Sequence, residues 1–313
     1  MTAPTEPPLT FTARTPEDVL ALVPVVLGFA PEDSVAMLTF GAAHPFHARV
    51  DLPEDEDELP AMVEALLAPA RHHRVRRAFF VVYTTSERLA RRAAHRLADD
   101  FAAAGVDVIE VLRADGSRWW PAVGRRPGVP AWGVPYDLST HPFSAEAVLD
   151  GRVLLGSREE LRATLLADPA AVARVVAALA DRSVEDGPSG RWVADLVRRH
   201  CRDGTPVSDA ECARLLRALL DVGVRDEACG DLGRATARAH VGFWTDVVRR
   251  SPDALVAAPA AVLALAAWQA GHGALAWCAL DRCADVDAAY PLARLVEQAL
   301  LRAVPPQSWE EAG

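Results

Sequence analysis

An α/β domain with a mixed sheet, followed by an all-α domain, is the fold class this sequence predicts. Three observations carry it. Residues 78–114 read strand, helix, strand at the spacing of a βαβ unit with parallel strands. The run AFFVVYT (78–84) is almost continuously apolar, as in a sheet covered on both faces. From Phe143 onward the reading is helical, with repeated cap signals.

Taken in order, LTFTA (9–13) reads as a first strand. TPEDVLALVPVVLG then reads as a helix, with Thr15 as N-cap, Pro16 at the first helical position, and Glu17 and Asp18 at the positive end of the dipole. Pro24 should kink it and Gly28 can stop it in a left-handed conformation. APED (30–33) fits a type I turn with Pro31 at its second position, after which Asp33 or Ser34 can bond a backbone N–H. SVAMLTF (34–40) and FHARVDL (46–52) read as two strands joined by a short loop.

PEDEDEL (53–59) is an acidic, solvated loop, and a helix is expected over 58–70. RHHRVRR (71–77) carries four arginines and two histidines in seven residues. It reads as a solvated connector pairing with the acidic loop, each such pair contributing roughly 0–1 kcal/mol; a phosphate patch is the alternative. After the strand 78–84, Ser86 can cap an amphipathic helix whose Leu89, Ala93, Leu97 and Phe101 line one face, ended by Gly105. VDVIEVLRA (106–114) is the next strand.

Residues 115–142 hold five prolines, four glycines, three tryptophans and Tyr136. A structureless stretch of this length tends to be functional or disordered, and the tryptophans argue against disorder. It should leave the sheet at the carboxyl ends of the strands, where α/β sheets favour ligands. Arg118, Trp119, Trp132, Tyr136 and Asp137, with Asp33 and Ser34, are therefore the candidate ligand-binding residues. Trp120 offers further contact area, and Arg125 and Arg126 offer further anion contacts. Burial of the rings as a cap on the sheet accounts for the same residues. Asp51, Tyr83 and Asp137 can line the same sheet end, each equally well as a capping or turn residue. A triad of Asp33 and Ser34 with His44 or His47 lacks any local sign of convergence.

In the second half, SREE (157–160) and SDAE (208–211) read as capping boxes, Asp168–Pro169 as a cap with a first-turn proline, and EDGPSG (185–190) as an internal break. The stretch from Ala257 to about residue 303 resembles a tetratricopeptide-like helix pair, with Leu263, Gly271, Ala276 and Leu280 at positions that repeat fills with fitting or small residues. Domain limits of 1–150 and 151–313 follow.

Composition narrows function. All 33 basic residues are arginine. With no lysine, Schiff-base and pyridoxal phosphate enzymes, Walker A nucleotidases and protein kinases are excluded. A net charge of −10 argues against a nucleic-acid partner. Five cysteines with no CxxC suit reduced thiols in a cytoplasm. Zinc ligands drawn from His200, Cys201, Cys212, Cys229 and His240 are too irregularly spaced, and buried free cysteine is the better reading. No metal, cofactor or catalytic residue is assigned. The N-terminus does not read as a signal peptide, and the apolar run Leu255–Trp268 is too short to span a bilayer, so no membrane partner is expected.

The motifs ALVPVVLGFAPEDSVAML, HARVDLP, AFFVVYT, ADGSRWW and GVPYDLSTHPFSAEAVLDG, with AAWQAGHGALAWCALDRC, resemble the actinobacterial "domain of unknown function 4192" family over nearly the whole chain. The absence of Lys and Asn and the single Ile109 suit a high-GC, actinobacterial genome. The resemblance implies an α/β half followed by helices, and no activity. It also implies, for many members, a cysteine cluster between the tryptophan motif and PYD. Here that stretch, PAVGRRPGVPAWGV, has no cysteine, so a metal held there by relatives is not expected. Two functions stand: an interaction or scaffold protein whose helical domain holds an unknown protein partner, and an enzyme or sensor binding a small anionic metabolite or nucleotide at the sheet edge.

Overall fold

The structure, a computed structural model, describes residues 11–42, 46–149, 154–181 and 189–308. The chain divides into two compact units, Met1–Ser157 and Arg158–Gly313.

In the first unit, α1 (Pro16–Leu27) starts with a full capping box. Thr15 accepts from the Asp18 amide, and the Asp18 carboxylate accepts from the Thr15 amide. Gly28, at φ 84°, ends the helix by donating to the Pro24 carbonyl. The strand expected at 9–13 is not formed over its described residues, 11–13. Phe11 instead lies against Phe143, with ring centroids 4.9 Å apart. The type I turn expected at 30–33 is also absent. Phe29 forms a parallel bridge with Leu155, the Ala30 amide donates to the Leu155 carbonyl, and the chain bends at Asp33, φ 37°.

Six strands follow: β1 (Ser34–Phe40), β2 (His47–Asp51), β3 (Arg77–Tyr83), β4 (Asp107–Ala114), β5 (Arg118–Pro121) and β6 (Val134–Pro135). They form one mixed sheet in the order β2-β1-β3-β4-β5-β6, with β3 and β4 the parallel pair and every other neighbour antiparallel. The β3–β4 crossover is α3 (Glu87–Ala103), capped by Ser86. The helix before β3, α2 (Leu59–His72), packs beside α3.

Alternation in β1 and β3 explains their unbroken apolar reading. Val35, Met37, Phe80 and Val82 enter the core beneath α2 and α3, while Ala36, Leu38, Phe79, Val81 and Tyr83 enter the core beneath α1. Phe80 meets Phe101 of α3 edge-on at 4.8 Å. Truncating Phe101 to Ala should cost about 3–5 kcal/mol. The unit closes with α4 (Pro142–Leu149).

The acidic loop does not pair with RHHRVRR. Glu56 takes Arg88 at 2.8 Å and Arg92 at 3.5 Å, both on α3, and Arg71 pairs within its own helix with Glu64. The start of α3 brings its arginines to the loop, whereas Arg71 sits at the far end of α2.

The second unit is built from helices: α5 (Arg158–Ala163), α6 (Pro169–Ala180), α7 (Gly190–Asp203), α8 (Asp209–Ala218), α9 (Val222–Ala228), α10 (Ala237–Arg250), α11 (Ala257–Gln269), α12 (Gly273–Asp287) and α13 (Pro291–Leu301). Ser208 and Glu211 form the expected capping box, and Asp168 caps α6. α11 is buried along nearly its whole length, with α12 folding back on it through Gly271. Gly271 has φ 77° and open space where a Cβ would stand, so its role is the left-handed turn rather than close helix packing. Among the described residues, no helix is long and apolar enough to cross a membrane.

Candidate functional site

The carboxyl ends of β3 and β4 define the sheet end singled out from sequence. The register places Asp51, Ser34, Tyr83, Ala114, Trp119 and Val134 in one row across all six strands. Ser34 and Tyr83 are cross-strand partners on the α1 face, the face that Ala36, Leu38, Phe79 and Val81 share. Ser34 is 0% exposed and Tyr83 6%. Neither hydroxyl has a hydrogen-bond partner among the described residues. The Ser34 hydroxyl therefore does not cap the strand as expected.

Two phenols share this end. Burial pushes Tyr83 well above the ordinary tyrosine range, and Tyr136 adds to the effect. Burial also pushes Tyr136 up to about 12, with the Asp115 carboxylate adding to it. Both are neutral at physiological pH. Asp115 itself stays ionised. Burial opposes its charge, but the Ser117 and Arg118 amides and the Ser117 hydroxyl donate to its Oδ1 and hold its pKa below the ordinary value.

The tryptophan stretch is not a structureless excursion. Asp115 turns the chain back on itself, β5 pairs with β4, and residues 122–133 return as β6 beside β5. Trp119 is 3% exposed beneath α1, and its Nε1 donates to Glu17 Oε1 at 2.9 Å. On the opposite face the Arg113 guanidinium lies 3.8 Å from the Trp120 ring centroid, and Trp120 Nε1 donates to the Ala131 carbonyl. Two of the three arginines expected as anion contacts are engaged elsewhere, and Arg125 is exposed. Arg118 donates to the carbonyls of Trp132 and Gly133, and Arg126 pairs with Glu110 at 2.6 Å. Trp132 is 72% exposed. Asp137 is a turn residue accepting from the Ser139 amide, a bond that lowers its pKa. Asp33 accepts from the Leu52 amide through its carbonyl.

Of the residues expected to bind ligand, Ser34 and Trp119 fall in one row three strands apart, and Tyr136 packs with Trp119 in the core beneath α1. Arg49, which sequence reasoning missed, lies on the same face of the sheet. Arg49 pairs with Ala36 in the β1–β2 register and so lies on the α1 face. Its Nη1 bonds Asp51 at 2.6 Å, its Nη2 donates to the Glu32 carbonyl, and its buried Nε has no partner. The alternation in HARVD carried this signal, but strand order was needed to read it.

His47 pairs with Leu38, four residues along β1 from Ser34, a separation of about 13 Å at the rise of a strand. It is not beside the Ser34 hydroxyl, and His44 lies outside the described residues. Thiol nucleophiles are also poorly served. Burial pushes Cys201, Cys212, Cys229 and Cys283 up to about 12, and Cys278 upward as well. A cavity of about 630 Å³ lined by Glu54, Asp55, Glu56, Ser86, Arg88 and Leu89 opens at the start of α3. Ser86 is committed to its cap and Glu56 to its arginines. At the sheet end, Ser34 and Tyr83 keep buried hydroxyls with no partner among the described residues.

No curated protein and no solved structure matches the chain. The family model described as Domain of unknown function (DUF4192) matches residues 16–307, which takes in the six-stranded sheet and the helices that follow it. By that match, the chain belongs to the DUF4192 family.

Proposed function

We propose that the first unit binds a small polar molecule at the end of its sheet. The observation that carries this reading is the Ser34–Tyr83 pair. A buried hydroxyl without a partner costs about 1–3 kcal/mol. Two of them, on cross-strand partners and one face, are a cost that a ligand hydrogen-bonding to both would offset. Their place supports the same reading, because open α/β sheets take ligands at the carboxyl ends of parallel strands. Trp119 and Tyr136 supply rigid aromatic wall on that face. The unit acts as a sensor or carrier, in a compartment where five free cysteines stay reduced.

The test is a thermal-shift screen of the full chain against nucleotides, sugars and organic acids, repeated on Ser34→Ala and Tyr83→Phe. A ligand present at a hundred times its Kd adds about 2.7 kcal/mol to native stability. A shift that both variants weaken supports the reading. A complete absence of shifts, or shifts that both variants retain in full, overturns it.

A second reading, a tetratricopeptide-like partner surface on the helical unit, is favoured by one observation. Leu295 and Leu301 of α13 are 49% and 59% exposed. A partner retained at fixed stoichiometry by the wild type and lost by the double substitution Leu295→Asp, Leu301→Asp supports it. Equal retention by both overturns it.

A further inference from the structure

We infer that the ligand of this sheet end is an oxyanion, a carboxylate or a phosphate, received by Arg49, Ser34 and Tyr83. The inference rests on the binding reading above and names the chemistry of what is bound.

Three polar atoms on the α1 face at this end are buried and unpartnered among the described residues: Ser34 Oγ, the Tyr83 hydroxyl oxygen and Arg49 Nε. A guanidinium N–H only donates, and each hydroxyl has a proton to give. Ser34 and Tyr83 are more than nine-tenths buried. Complementary chemistry is therefore acceptor-rich, and a guanidinium N–H on the same face as two hydroxyls matches an oxyanion better than an amine or an apolar group.

The geometry brings the arginine to the same row. Arg49 starts one step along the sheet, opposite Ala36, but it bonds Asp51, the cross-strand partner of Ser34, and the Glu32 carbonyl just before β1. Those bonds draw the guanidinium toward the Ser34 end and leave Nε unused. The Phe29 ring, 5.9 Å from the guanidinium carbon, limits where the side chain can go. Asp51 is 71% exposed at its side chain, so solvent weakens its hold on the guanidinium charge. An incoming anion competes with a screened carboxylate for a guanidinium that is itself mostly buried.

Glu17, Asp51 and Asp115 set the limit on ligand charge. They flank the row, which favours one compact anionic group over a polyanion.

The experiment titrates the full chain with inorganic phosphate and, separately, with succinate, each against sodium chloride of equal ionic strength, following the thermal midpoint. A neutral polyol, glycerol, is the control for hydroxyl recognition. The expected result is a saturable rise in midpoint with one of the two anions, which tells phosphate from carboxylate. Arg49→Gln should weaken the apparent affinity by roughly tenfold or more, the loss expected for one charge-assisted hydrogen bond. Ser34→Ala, which removes one oxygen from a strand without touching charge, should weaken it as well and guards against misfolding of the arginine variant. No saturable response to either anion beyond chloride overturns the inference, as does a response that Ser34→Ala and Arg49→Gln both keep in full. A response confined to neutral polar compounds and lost in Ser34→Ala overturns the anion while leaving the binding reading in place.

Discussion

Gly133 lies so close to Trp120 that a Cβ on the glycine would stand 2.4 Å from the indole Cε2, and its φ of 80° belongs to the left-handed region. Space and backbone conformation both reserve the position for glycine. Trp120 is in turn held by Arg113 over its face and by the Ala131 carbonyl at its nitrogen. The contact locks the 122–133 segment against β5 and so shapes the edge of the sheet. Gly133→Ala should cost about 2–4 kcal/mol, from left-handed strain plus overpacking. Urea denaturation measures it, and an unchanged midpoint would remove the contact from this account.

Ser34→Ala and Tyr83→Phe should each leave the ligand-free protein as stable as wild type or more stable, by about 0.5–1.5 kcal/mol. Each substitution deletes a buried hydroxyl that has no partner, so the desolvation cost disappears and no bond is lost. Differential scanning calorimetry without ligand decides it. Destabilisation beyond about 1 kcal/mol would mean the hydroxyls are already satisfied in the free protein.

Trp119→Phe keeps most of the buried ring and loses the donor to Glu17, for an expected cost of about 1–3 kcal/mol. Glu17→Gln retains an acceptor and should cost less than Glu17→Ala. If Gln and Ala at position 17 destabilise equally, the hydrogen bond is not what holds α1 at this edge. Chemical denaturation of the three variants provides the comparison.

His240, in the helical unit, is fully buried. Its Nδ1 accepts from Trp244 Nε1 at 3.4 Å, and its Nε2 lies 3.2 Å from Asp231 Oδ1. Burial lowers its pKa below the ordinary 6.5, and Asp231 only partly offsets that. The unfolded chain therefore binds a proton at a higher pH than the folded one. The contribution is present in full above the unfolded pKa of about 6.5 and is lost as pH falls below it toward the folded value. Wild type should lose denaturant resistance between about pH 7 and pH 5, and His240→Gln should lose less over the same interval. Parallel slopes for the two proteins would contradict the assignment.

Much of the fold was legible because its signals are local. Thr15, Ser86, Asp168 and Ser208 act as caps where their chemistry says they should. The apolar run of β3 meant two covered faces, and the β3–α3–β4 unit has its parallel pair. The strand read at 9–13 and the turn read at 30–33 failed for the opposite reason: the described part of the first is coil, and the start of the second is bonded to Leu155, more than a hundred residues away. The tryptophan-rich stretch read as a loop because prolines and glycines hide β5 and β6, each only a few residues long.

By itself, the sequence determined the α/β-then-helical order, several helix starts, the absence of lysine chemistry and membership of a family. Tertiary structure alone decided the strand order, the hydrogen bond of Trp119 to a residue 102 positions away, and the placing of Ser34, Tyr83 and Arg49 on one face of the sheet. The physical reason is range. Caps and periodicity report on a few neighbouring residues, whereas a site at a sheet end is made by pairing register, which depends on strands distant in the chain finding one another.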